Sequence, residues 1–263
     1  MSDVQSRGPR AYATFIGIGL AAGLLSGLFG VGGGTVIVPL LVLLVHLDQR
    51  ISAGTSLAAI VPTAIVGVIS YAAHDSVAWV PALILAAGAV VGAQIGTRLL
   101  STLSQTVLRW SFVVFLGAVI VSLFLVIPSR DADFDLTWLS GIALVALGVV
   151  TGIVAGLIGV GGGIIVVPAM MIAFGTSDLV AKGTSLLMMI PTALSGTFSN
   201  LRRHNVDLVA AALIGVSACT TTALGAWLAT IVDPLTGNIL FAVYLAFIAV
   251  QMAMKAIKGR QKS

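Results

Sequence analysis

The chain has no glutamate: all nine of its acidic residues are aspartates, and they lie in polar stretches or at the ends of apolar runs. An acid in the middle of a membrane span is the usual mark of a cation carrier or proton pump, and that mark is missing. Cysteine occurs once, at Cys219, which excludes an intramolecular disulfide and any multi-cysteine metal site. Charge is scarce as well. Of 263 residues only 8% are charged, against about 25% in an average soluble domain. So few charges cannot coat a globule of this size. Nucleotide motifs are absent too. No G-x-x-x-x-G-K-[ST] stretch is found, and the glycine runs lack the third glycine or alanine of a dinucleotide fingerprint, with Thr35 three places after Gly32 and Ile164 three places after Gly161. No Ser/His/Asp or metal-ligand constellation is visible. His46, His74 and His204 fall at the ends of apolar segments, where interfacial polar residues belong. Enzyme chemistry, metal and cofactor are therefore not expected.

Apolar residues make up 59% of the chain, in continuous runs that approach or exceed the ~18–20 residues needed to cross a bilayer. Continuous rather than alternating runs select helices over a barrel, and lipid leaves a spanning backbone only those two forms. The reading is an all-α polytopic integral membrane protein. The net charge of +4 and the pI near 9.6 follow from basic loops, as the positive-inside rule requires, so nucleic acid is not an expected partner. Met1 to Arg10 reads as a short polar leader without a cleavage site.

The chain then repeats itself. Shifted by 129 residues, Gly30 falls on Gly159, Pro39 on Pro168, Gly54 on Gly183 and Pro62 on Pro191. "GVGGG", "GTSL" and "PTA" recur in register. Chance matching in apolar sequence aligns valines and leucines, not glycines and prolines, so the pattern reads as an internal duplication. Each half contains five helical segments, at roughly 11–29, 35–47, 52–73, 78–100 and 107–127, then 137–158, 164–174, 179–200, 206–228 and 237–256. The domains expected are a first repeat over 1–128, a polar extracytoplasmic linker over 129–136 that holds most of "PSRDADFD", and a second repeat over 137–263 with a basic tail. If every segment crosses from a cytoplasmic N-terminus, 11 of the 13 Lys and Arg are cytoplasmic and only Arg130 and Lys182 lie outside. An odd number of segments per repeat inverts the second half relative to the first, and places both termini in the cytoplasm.

Inverted repeats with interrupted helices are a secondary-transporter pattern. Here the interruption is the glycine run before the second, short segment of each half. Such a break frees backbone N–H groups at a helix N-terminus, which carries about half a positive charge and accepts anions. Glycine lets a ligand approach the backbone closely, although small residues also serve plain helix packing. The candidate substrate-binding residues are Gly32, Gly33, Gly34 and Thr35 in the first half and Gly161, Gly162, Gly163 and Ile164 in the second. The hydroxyls of Thr55, Ser56, Thr184 and Ser185 join them, near the start of a full-length helix that Pro62 or Pro191 weakens at mid-span. Hydroxyls can donate to an anion without burying a charge, or they can bond a carbonyl one turn back. Thr63 and Thr192 follow the two prolines.

"GLFGVGGGTVIVP" and "GLIGVGGGIIVVP", each followed by "GTS" and "PTA", closely resemble the sulfite exporter TauE/SafE family of bacterial and archaeal membrane proteins. The resemblance runs from about Phe15 to Met254. It implies a secondary transporter of a small sulfur-containing anion such as sulfite, thiosulfate or an organosulfonate, in the bacterial inner membrane. The partners expected are the small anion and the lipid bilayer, with a homodimer left open. A carboxylate transporter and a non-transporting membrane accessory protein are the alternatives.

Overall fold

A computed structural model describes residues 8–125 and 137–260, so the linker expected at 129–136 lies outside the described residues. Ten helices follow one another: α1 (Pro9–Phe29), α2 (Gly34–Leu44), α3 (Gln49–Ala72), α4 (Trp79–Thr102), α5 (Gln105–Leu125), α6 (Trp138–Ile158), α7 (Gly163–Phe174), α8 (Asp178–Arg202), α9 (Leu208–Ile231) and α10 (Pro234–Arg260). The sequence explains their ends. Pro9 opens α1, where its missing N–H costs nothing, and left-handed Gly30 closes it. Thr137 and Ser140 form a capping box on α6. The side chain of Ser177 caps α8 and that of Asp207 caps α9.

Among the described residues, seven helices are long and apolar enough to cross a bilayer: α1, α3, α4, α6, α8, α9 and the Leu235–Met254 part of α10. Large apolar side chains such as Ile69, Leu83, Val114, Leu139, Val216 and Phe247 are exposed around the outside of the molecule, a surface suited to lipid and not to water. The chain is an all-α polytopic membrane protein. The two short helices, α2 with 11 residues and α7 with 12, reach about 16–18 Å at 1.5 Å per residue, well below the ~30 Å hydrocarbon core.

Glycine faces set the packing. A Cβ added at Gly19, Gly23 or Gly27 of α1 would lie 2.4, 2.1 or 2.1 Å from the carbonyl oxygens of Ile214, Ala218 and Thr222 on α9. Gly88, Gly92 and Gly96 of α4 meet the carbonyls of Val145, Val149 and Ile153 on α6 in the same way. The residue numbers rise together, so each of these pairs runs parallel, with backbones in the close approach that small residues allow in membranes. Helices α3 and α8 cross the centre in opposite directions: Gly54 packs on Asn200, Gly67 on Leu186, Leu57 on Gly196 and Tyr71 on Gly183. Their inner faces carry the main apolar core, with Leu57, Ile60, Leu186, Met188 and Met189 fully buried. Helices α5 and α10 pack together and against the short helices, with Phe112, Leu116, Phe241 and Leu245 in a second core beside Val38 and Ile164.

Candidate functional site: two glycine loops joined head to head

Each glycine loop turns the chain back along the helix it has just left. Gly30, Gly32 and Gly33 have φ of 69°, 72° and 74°, and Gly159, Gly161 and Gly162 have φ of 83°, 83° and 91°. These left-handed angles are the ones glycine adopts without cost. The return brings Gly33 onto Ala22 of α1 and Gly162 onto Thr151 of α6. The short helices α2 and α7 then start beneath the ends of α1 and α6. Their first helical bonds run from Val36 to Gly33 and from Ile165 to Gly162, so the N–H groups of Gly34, Thr35, Gly163 and Ile164 precede the helical ladder.

The two loops meet. A Cβ at Gly34 would stand 2.6 Å from the Cα of Val160, and one at Gly163 would stand 2.6 Å from the carbonyl oxygen of Gly30. Ile60 of α3 and Met189 of α8 fill the space between them, each within 3.5 Å of a Cβ placed at Gly32 or Gly161. Two half-length helices therefore bring their positive ends to one place at the centre of the molecule. All eight loop positions singled out in the sequence, Gly32 to Thr35 and Gly161 to Ile164, are buried there.

The four flanking hydroxyls are engaged in bonds between the halves. Ser56 Oγ donates to the carbonyl of Gly159 at 2.7 Å. Ser185, its counterpart 129 places on, donates to the carbonyl of Gly30. Thr55 Oγ1 accepts from the Asp207 N–H at 2.9 Å, ahead of α9, and Thr184 Oγ1 accepts from the Ala78 N–H at 3.0 Å, ahead of α4. Ser56 and Ser185 thus touch the loops directly, whereas the Thr55 and Thr184 hydroxyls are committed at helix starts. Thr63 and Thr192 bond the carbonyls of Ala59 and Met188 one turn back, at 2.8 Å each. These two follow the plain structural course for hydroxyls in membrane helices.

Two groups at the loops escaped the sequence reading. Ser26 lies on α1 one turn past Ala22, and its carbonyl accepts from the Gly30 N–H at 2.8 Å. Its hydroxyl and that of Thr35 are fully buried and have no hydrogen-bond partner among the described residues. A buried hydroxyl without a partner is costly, and the second half avoids it with Ala155 and Ile164 at the matching places. The visible signal was this departure from the repeat, polar in one copy and apolar in the other. The second missed feature is a charge. Lys182 and Asp178 form a 3.0 Å ion pair, with side chains 12% and 3% exposed, and Gly30 packs on Lys182. This buried pair stands at the start of α8, at one edge of the loops. Among the described residues, no three His, Cys, Asp or Glu come together to hold a metal ion.

Comparison with known proteins agrees with this architecture. The family model "Sulfite exporter TauE/SafE" matches residues 2–128 and 144–263. The chain is 28% identical over 228 residues to "Probable membrane transporter protein YunE" of Bacillus subtilis, covering 78% of this chain and 84% of that protein. It is 29% identical over 190 residues to "Probable membrane transporter protein YdhB" of the same organism, covering 71% and 78%. A "Probable membrane transporter protein" of Haemophilus influenzae is 27% identical over 257 residues, covering 90% and 96%. No solved structure matches the chain.

Proposed function

Because the chain belongs to the sulfite exporter TauE/SafE family of membrane transporters, we infer that it is a secondary transporter moving a small sulfur-containing anion by alternating access through the glycine-loop centre. One observation carries this reading. The N-termini of α2 and α7 converge between Ile60 and Met189, and at one of them the hydroxyls of Ser26 and Thr35 are buried without a partner. Two positive helix ends held close together repel, and an anion between them relieves that repulsion while accepting from free N–H and O–H groups.

The buried loops supply the argument for alternating access. In this conformation the loops are closed on each other, so a ligand can arrive only if the halves shift. On this reading the two halves are inverted copies: α3 and α8 run antiparallel, the parallel pairs α1–α9 and α4–α6 exchange under the 129-residue shift, and the bonds from Ser56 and Ser185 are reciprocal. Two such copies can exchange packings and so open the centre to one side and then the other. The basic loops favour a cytoplasmic position for both termini, and the family reading favours a bacterial inner membrane. No step calls on enzyme chemistry.

The test is flux of labelled sulfite, thiosulfate and sulfoacetate through proteoliposomes holding the purified protein. Saturable flux of at least one, absent from empty vesicles, is the expected result. No flux of any anion alongside flux of a cation would overturn the reading.

A further inference from the structure

The Asp178–Lys182 pair sits where the chain also contains its own control. Lys182 packs on Gly30, with its Cα and Cβ each 2.6 Å from a Cβ placed there. In the other half Ala53 packs on Gly159 at 2.4–2.7 Å. Asp178 likewise corresponds to Gln49, buried to the same degree. One fold position thus accepts either an uncharged pair or an ion pair. Packing on the loop does not require the charges, and a buried ion pair is often no more stabilising than a neutral replacement. The charges have another use.

Their surroundings suggest what it is. The Lys182 side chain lines a small cavity of about 20 Å³ together with Val31, Ile164, Pro168 and Phe241. Val31 belongs to one glycine loop, and Ile164 lies in the first turn of the helix that leaves the other. The lysine therefore stands at the edge of the closed centre and retains slight exposure. Asp178 is the first residue of α8, where the helix dipole favours a carboxylate with or without a lysine nearby. The ammonium can leave Asp178 without abandoning an unsupported charge.

Resting on the anion-transport reading above, we propose that Lys182 is a docking residue for the transported oxyanion at one of the two approaches to the glycine loops. Asp178 holds its ammonium until the anion replaces the carboxylate. At the matching place in the other half Ala53 and Gln49 carry no charge, and the neighbouring Arg50 is turned to the Leu103 carbonyl at 2.6 Å, so the two sides of the protein greet the anion differently.

The experiment measures equilibrium binding of sulfite and of sulfoacetate to the purified full chain, with flux in proteoliposomes alongside. Lys182→Gln is expected to weaken binding at least tenfold, and Lys182→Arg to retain most of it. Asp178→Asn is expected to tighten binding severalfold, because the competing carboxylate is gone. A purely structural pair gives a different pattern: both single variants lose affinity and stability alike, and the double variant returns to wild type. That pattern, or wild-type affinity in a folded Lys182→Gln, overturns the docking role while wild-type flux still upholds anion transport. Absence of binding and flux in the wild type itself overturns the transport reading and the docking role with it.

Discussion

The Ser56 hydroxyl donates to the carbonyl of Gly159 across 2.7 Å, joining the start of α3 to the glycine loop of the opposite half. Ser185 returns the bond to Gly30. Each serine satisfies a loop carbonyl that the left-handed turn has taken out of helical bonding. Replacing Ser56 or Ser185 by alanine leaves a buried acceptor unpaired, at a cost of about 1–3 kcal/mol. Thermal unfolding in detergent is expected to show a lower midpoint for either variant and a lower one still for both. An unchanged midpoint in the double variant would mean that the loops are held by other contacts.

Backbone proximity makes a separate prediction. A Cβ at Gly92 would stand 2.2 Å from the Val149 carbonyl, whereas one at Gly117 would meet nothing within 4 Å. Gly92→Ala is expected to destabilise by about 1–3 kcal/mol, since one of the two helices must move. Gly117→Ala removes a flexible residue from an open helix face and is expected to be neutral or to stabilise by up to about 1 kcal/mol. Unfolding midpoints of the two variants test the contrast, and a reversal of their order would contradict the parallel α4–α6 contact.

Orientation can be read by labelling. The α3–α4 turn and the α8–α9 turn lie at opposite ends of an antiparallel helix pair, with His74 and Arg203 exposed at them. With Cys219 replaced by alanine, a membrane-impermeant thiol reagent applied to intact cells is expected to modify a cysteine placed at His74 and not one placed at Arg203. Modification of both from the same side would exclude the inverted arrangement.

The sequence made the helices legible because lipid demands long apolar runs, and glycine, proline and basic residues punctuate them. Apart from the fifth segment's expected end at 127, which lies outside the described residues, the expected ends agree with the observed ones to within a few residues; α2 closes at Leu44 rather than at 47, and α10 runs on to Arg260. The glycine loops were legible for the same reason, as breaks where a helix would otherwise continue. The use of the hydroxyls was not. Ser56 finds its acceptor at Gly159 and Thr55 its donor at Asp207, and no local pattern reveals a partner in the other half of the chain. Lys182 counts in the sequence as a charge on the outer side of the membrane because it lies early in its helical segment. Only the packing of α8 against the end of α1 shows that this helix start is buried against a glycine loop.

The central claim, that an anion is held at the start of α2, is tested most directly by Thr35→Val, which removes a buried and unpartnered hydroxyl while keeping its shape. Losing a donor to a charged ligand costs about 1.5–3 kcal/mol, roughly a tenfold to hundredfold loss of affinity. Losing an unsatisfied group costs the fold nothing. Equilibrium binding of sulfite and sulfoacetate, measured beside the unfolding midpoint of the ligand-free protein, is therefore expected to show weaker binding with an unchanged or higher midpoint. Wild-type affinity for both anions in a Thr35→Val protein that unfolds at or above the wild-type temperature would contradict the account.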